Sequence, residues 1–201
     1  MYKVSPSMLE SFRVFKNEIY DTTVEQMIAT IKGEFKTTPQ MQFGTEVHKF
    51  FEDMSTSNLM LEELEQLAEI ALLIPQGVNE VYQSIELHGV RFNMIFDRMI
   101  GKELREFKVG SRFSGVDYFE NSVQWKLYLL GSGCDKITYD VITHTEARPV
   151  KFKYIQPFSF YPYTGMEDDV MDLVHEFIEF CVHHKVDNYI QYKNKPIQLM
   201  N

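Results

Sequence analysis

Asp97 and the run Glu106-Phe107-Lys108 stand in two apolar-rich segments joined by Ile100-Gly101-Lys102-Glu103. Two acids and an amine therefore occupy positions that otherwise read as buried strand. Burying an unpaired charge costs several kcal/mol, so a fold that accepts this arrangement must supply either an ion-pair network or a bound cation. A two-residue turn at Gly101-Lys102 pairs Ile100 with Glu103 and, continued along the ladder, sets Asp97 opposite Glu106. Directly opposed residues carry Cβ atoms about 4.5–5.5 Å apart on one face. Lys108, two residues beyond Glu106, shares that face. Two carboxylates this close repel unless a cation lies between them or one is protonated. Mg²⁺ takes a few carboxylates, waters and phosphate oxygens, which suits the patch. A cross-strand ion-pair cluster, with Lys108 neutralising one acid, satisfies the same residues.

The bulk properties narrow the setting. At 201 residues one domain can bury roughly 70% of its unfolded surface. A content of 44% hydrophobic and 14% aromatic residues suits an ordinary globular core and excludes a disordered chain. Met1 to Pro6 lacks the apolar core of a signal peptide, and the longest aliphatic run, Ile70 to Ile74, is too short to span a bilayer. Cys134 and Cys181 are the only cysteines, which excludes a disulfide framework and a four-cysteine metal or iron–sulfur site. The expectation is a soluble, cytoplasmic protein without a membrane partner. A net charge of -9 argues against indiscriminate coating of nucleic acid. Lys102, Arg105, Lys108, Arg112 and Lys126 nevertheless gather around the acid pair and would give it a basic surface.

The chain reads as one unit over 1–201, with residues 1–75 mainly helical, 78–160 a sheet plus one helix, and 166–184 a closing helix. Ser5-Pro6-Ser7-Met8-Leu9-Glu10 is a helix start with Ser5 as cap. Asp21 is expected to cap a second helix ending at Gly33. A third runs from about Gln40 to Met54, and a fourth from Leu61 to Ile74 before Pro75. Period-two alternation follows in Val81 to Leu87 and Val90 to Ile100, joined at His88-Gly89, and in Glu103 to Val109. Asp117 to Leu130 reads as a helix, Lys136 to Thr145 and Pro149 to Phe158 as strands, and Met166 to His184 as an amphipathic helix. The class is α+β, a central mixed sheet flanked by helices.

Other segments could complete a site. His48 lies four residues after Gly44 on the third helix and shares its face; alone, such a histidine is an ordinary surface or core residue. Gln124 and Tyr128 put a carboxamide and a phenol on one helix face, which alone is a solvated edge. Taken in order, Ser5-x-Ser7-x-Leu9, Gly44-x-x-x-His48, strand Asp97, Glu106-x-Lys108 and Gln124-x-x-x-Tyr128 resemble the PD-(D/E)XK nucleases. The match is most similar to the branch of the RecB nuclease domain and the CRISPR-associated RecB-like exonucleases, and covers Ser5 to about Leu130.

That resemblance implies a restriction-endonuclease-like α/β/α fold and a Mg²⁺- or Mn²⁺-dependent deoxyribonuclease, more an exonuclease than an endonuclease. It implies His48, Asp97, Glu106 and the Phe107 carbonyl as metal ligands. Asp97, Glu106 and Lys108 would be catalytic, with Lys108 orienting or deprotonating the attacking water. Gln124, Tyr128, Ser5 and Ser7 would support the site and contact DNA. Glu86 would be an accessory carboxylate, or else the cross-hairpin partner of Arg91. Phe96 stands where the superfamily name has proline. Phe15 stands near the place of a first cluster cysteine and no cysteine triplet follows, so no iron–sulfur cluster is expected. Compact relatives of this kind suggest a bacterial or phage-infected cell, a role in DNA recombination, repair or phage genome processing, a recombination or single-strand-binding protein as partner, and in some cases ring oligomers. The rival function is a catalytically silent DNA-binding or protein-interaction module on the same fold.

Overall fold

The computed structural model describes residues 1–34, 36–55 and 58–191; the last ten residues of the expected unit lie outside them. The chain opens on a short strand that periodicity did not mark, β1 (Tyr2–Val4). Helix α1 (Pro6–Lys16) follows, with the Ser5 hydroxyl accepting the Met8 N–H at 3.2 Å. Helix α2 (Val24–Lys32) is capped by Thr23, not Asp21. Thr23 and Gln26 exchange side-chain and backbone hydrogen bonds in a capping box, which satisfies two orphan groups where a lone aspartate satisfies one. Helix α3 (Pro39–Asp53) starts from a Thr38 cap. Helix α4 (Leu61–Ala71) stops three residues short of Ile74, in a turn ahead of Pro75.

The sheet is built on a hairpin. Strands β2 (Val78–Leu87) and β3 (Val90–Ile100) pair antiparallel along nearly their whole length, from Leu87↔Val90 to Val78↔Met99. His88 and Gly89, at φ 48° and 77°, supply the two left-handed positions that such a tight turn needs. β2 takes one edge of β3, so its other edge is shared by β1, parallel at Tyr2↔Val90 to Val4↔Phe92, and β4 (Glu103–Gly110), antiparallel at Arg98↔Arg105 to Ile100↔Glu103. The register expected from the Gly101-Lys102 turn is observed from Ile100↔Glu103 to Arg98↔Arg105, and the ladder ends one step short of the expected Asp97–Glu106 pair.

The expected helix at Asp117–Leu130 is two, α5 (Val116–Glu120) and α6 (Val123–Ser132). Ser122 breaks it by accepting the Gln124 N–H, and the Glu10 carboxylate takes the Val123 N–H at 2.9 Å. Strand β5 (Lys136–His144) then lies parallel to β4. The expected strand at Pro149–Phe158 is likewise two pieces, β6 (Phe152–Tyr154) and β7 (Phe158–Phe160), each antiparallel to a different stretch of β5. Helix α7 (Met166–His183) closes the chain.

The result is a mixed seven-stranded sheet with helices on both faces. The larger core joins α1, α6 and α7 to Phe92, Met94, Phe96, Leu104 and Tyr139. On the other face Val47, Phe50 and Phe51 of α3 and Leu67 and Ile70 of α4 pack on Phe107 and Ile142. Phe15 rests its ring on Phe180 of α7 at 5.4 Å, and Phe12 contacts Phe177 at 5.2 Å. Apolar packing thus joins the two ends of the fold. Among the described residues no helix is long and apolar enough to cross a membrane.

Gly77 leads into β2 against the far end of β3. A Cβ there would lie 2.5 Å from the Met99 carbonyl oxygen and 2.7 Å from Ile100 Cγ1. Gly77→Ala is therefore expected to destabilise the protein by about 1–3 kcal/mol, measured by denaturant unfolding; an unchanged midpoint would contradict this packing.

Candidate active site

The sheet forks at Asp97. Phe96 and Met99 face the same core although they are three positions apart, while Arg98 between them turns to the α3 face. Strand β2 switches in step: Val81 packs with the larger core, Asn79 reaches α3, and Glu80 at the switch has φ 49°. The β3–β4 ladder ends at Arg98↔Arg105. One step further, Asp97 uses its side chain in place of its backbone, Oδ2 accepting the Phe107 N–H at 2.7 Å. The strands separate there, and α3 lies over the opening.

Arg98 sets the distance of that helix. Its guanidinium is buried, donates to the Phe51 carbonyl and to Asn79 Oδ1 at 2.7 Å each, and lies 5.1 Å from the Phe107 ring. His48 and Glu52 consequently face Asp97. Ligand atoms of His48, Glu52 and Asp97 all lie within 4.8 Å of one another, and His48 Nδ1 is 3.8 Å from Asp97 Oδ2. Glu52 escaped sequence reasoning although it follows His48 by one helical turn, which was the available signal. Arg98 had no such signal, because its partner is a backbone carbonyl far away in the chain.

Glu106 sits on the inner side. Its Oε1 accepts from Lys108 Nζ at 2.8 Å and from Gln124 Nε2 at 3.1 Å, while buried Oε2 receives no donor. Gln124 also accepts from Lys108 through Oε1 and donates to the Tyr128 hydroxyl at 2.9 Å. The helix pair Gln124/Tyr128 thus reaches the acid–amine pair directly. Glu10, the carboxylate that caps α6, adds to the negative field on Lys108.

Electrostatics tighten the picture. Desolvation, then the Asp97 charge, raises the Glu106 carboxyl to about 7. Desolvation also raises Asp97 to about 6, against the pull of Lys108 and the Phe107 N–H. Burial, assisted by Lys108, lowers His48 to about 4 and keeps its imidazole neutral. Burial disfavours the Lys108 ammonium, but Glu106 and Asp97 outweigh it and hold its pKa above the usual lysine range. Two acids that resist ionisation, a neutral imidazole, a third carboxylate and an orphaned carboxylate oxygen form a donor set suited to a hard divalent cation. His48, Glu52 and Asp97 are the residues whose ligand atoms come close enough together to hold it.

Other expected residues stand apart. Glu86 is exposed on β2 and paired in register with Arg91. Ser5 caps α1 and meets the Ser7 hydroxyl at 3.2 Å, and none of their described hydrogen bonds reaches the acids. Three of the five residues of the expected basic surface meet carboxylates outside the site. Arg105 is buried in a two-pronged pair with Asp140 at 2.7 Å, Lys126 pairs with Asp169, and Lys102 lies 3.8 Å from Asp135. Alternation along β4 explains the first: Arg105 and Glu106 must face opposite ways.

These pKa values carry a pH dependence for the cation-free protein. Both acids have folded values above the unfolded ones, so each takes up a proton more readily when folded, and falling pH stabilises the fold. His48, with its folded value below the unfolded one, opposes them with one proton. The net expectation is a melting temperature in EDTA that rises as pH falls from about 7 to about 5. A cation that replaces the shared protons should flatten this slope; equal slopes with Mn²⁺ and with EDTA would contradict the assignment of these groups.

No protein-family model and no curated protein sequence matches the chain. Solved structures do. A protein from Eubacterium rectale assigned as an exonuclease superposes with a TM-score of 0.55 over 99% of this chain and 92% of its own, at 13% identity. An alkaline exonuclease from Laribacter hongkongensis gives a TM-score of 0.50 over 91% of this chain and 90% of its own, again at 13% identity. The complex of that enzyme with dAMP gives 0.52. The chain has the fold of these exonuclease structures.

Proposed function

We propose that the chain is a divalent-metal-dependent DNA nuclease of the PD-(D/E)XK type, RecB-like, and acts as an exonuclease. The observation that carries this reading is the meeting of Asp97, Glu106 and Lys108 at the fork, with the buried Glu106 Oε2 left without a donor. The shared fold with two exonuclease structures supports it. Bound Mg²⁺ or Mn²⁺ would activate water and offset charge on the phosphate. His48, Glu52, Asp97, Glu106 and the Phe107 carbonyl would supply its ligands. Glu106 and Gln124 hold the Lys108 ammonium in place, where it orients the attacking water and hydrogen-bonds the phosphate oxygens. Tyr128 fixes Gln124, and Ser5 and Ser7 contribute to the DNA-facing rim of α1. The whole chain forms one nuclease unit serving recombination, repair or phage genome processing in the cytoplasm, with a recombination or single-strand-binding protein as partner.

End-labelled linear and circular DNA, incubated with Mn²⁺, Mg²⁺ or EDTA, tests the reading. Shortening of linear strands with either metal, circles left intact and silence in EDTA are expected. Binding of DNA without cleavage under any metal would favour a silent module.

A further inference from the structure

The crevice at His48 and Lys108 continues past the acids. A hollow of about 750 Å³ carries His48, Glu52 and Lys108 together with Gln40, Ser111 and His144. Those last three also line a second recess of about 480 Å³, whose remaining walls include Phe43, Glu46, Glu146 and Arg148. On the nuclease reading a phosphodiester and its cation would take the first hollow, and the second is large enough for a further organic group.

The chemistry of the second recess tells which group. Phe43 is half-buried and meets the His144 ring edge-to-face at 4.9 Å, with the Arg148 guanidinium 5.5 Å from its centroid. His144 Nδ1 is bonded to the Thr145 carbonyl at 2.9 Å, which orients the imidazole and leaves Nε2 as its remaining polar atom. Arg148, itself part of the wall, is held by Glu63 and by the Asn58 carbonyl, which fixes it beside the Phe43 ring. Glu46 and Glu146 place carboxylates in the recess, which disfavours a phosphate there and favours a neutral group with N–H donors and a flat π face. A nucleobase has both.

We propose that the Phe43–His144 recess holds the nucleobase of a nucleotide next to the scissile phosphate, a proposal that rests on the nuclease reading above. Base stacking here positions the strand relative to Lys108, and the two carboxylates favour bases with an exocyclic amino group.

The test compares wild type, Phe43→Ala and His144→Ala on short DNA strands carrying one abasic nucleotide at successive positions. Wild type should lose roughly tenfold in kcat/KM when one particular position is abasic. Both variants should lose roughly tenfold on intact DNA, yet match wild type on the strand abasic at that position, which also shows that they fold. Variants that cleave intact DNA at the wild-type rate would overturn the proposal. So would variants equally impaired on intact and abasic strands, since the role is then structural. A strand carrying 2-aminopurine, added in EDTA, reads stacking without chemistry: quenching by wild type and its loss in His144→Ala are expected. Quenching without any cleavage would sink the nuclease reading alone; cleavage without quenching would sink the base recess alone.

Discussion

Lys108→Ala removes metal-dependent DNA cleavage by about 10²–10⁴-fold while leaving Mn²⁺ binding in place. The ammonium lies 2.8 Å from both Glu106 and Gln124, so its loss takes away the cation bonded to Glu106 and leaves every candidate metal ligand standing. Mn²⁺ should still raise the melting temperature of the variant. It should do so by more than in wild type, because the acids then repel without compensation in the metal-free form. Asp97→Asn behaves differently: it loses cleavage and metal-induced stabilisation together. Lys108→Arg tests geometry against charge, since a planar fork cannot occupy the place of a compact ammonium between two acceptors, and it should remain strongly impaired. Full cleavage by Lys108→Ala or by Asp97→Asn would end the nuclease assignment.

Glu63→Ala is the substitution expected to cost most in stability away from that site. Glu63 is 0% exposed and lies in the first turn of α4, where it gathers the Met60 and Val150 N–H groups and the Arg148 guanidinium. Truncation strands the buried Val150 N–H, at about 1–3 kcal/mol, and also removes the bonds to the Met60 N–H and to the partly exposed Arg148 guanidinium. A loss of about 3 kcal/mol or more should lower the melting temperature by roughly 6–12 °C in a chain of this size. Burial works to raise the Glu63 pKa, but Arg148 and the two N–H groups win and lower it to about 2. Its folded value lies below the unfolded one. The stability it contributes is thus present in full above about pH 4.5 and lost as pH falls toward 2. The gap between wild type and Glu63→Ala should close over that window, and a gap independent of pH would contradict the ionised state of Glu63.

The site was legible in part. Asp97, Glu106 and Lys108 could be matched because a two-residue turn sets cross-strand register by covalent geometry alone, and Ile100↔Glu103, Met99↔Leu104 and Arg98↔Arg105 follow it. Gln124 and Tyr128 could be matched because one helical turn separates them. Glu52 was within reach by the same spacing from His48. The helix break at Ser122 and the division of β6 from β7 were hidden, since each depends on partners distant in sequence: the Glu10 carboxylate in one case, successive stretches of β5 in the other.

Local spacing by itself determined the α+β order, the hairpin register and the presence of two acids and an amine on adjoining strands. Only the tertiary structure decided where the sheet forks and which groups enter the fork. Arg98 draws the end of α3 to β3 through the Phe51 carbonyl, bringing His48 and Glu52 to Asp97, and Glu106 turns inward to Lys108 and Gln124. Periodicity encodes which way a side chain faces along its own element. The distance between a helix and a sheet is set by long-range packing and by buried polar groups that must find partners wherever the fold offers them.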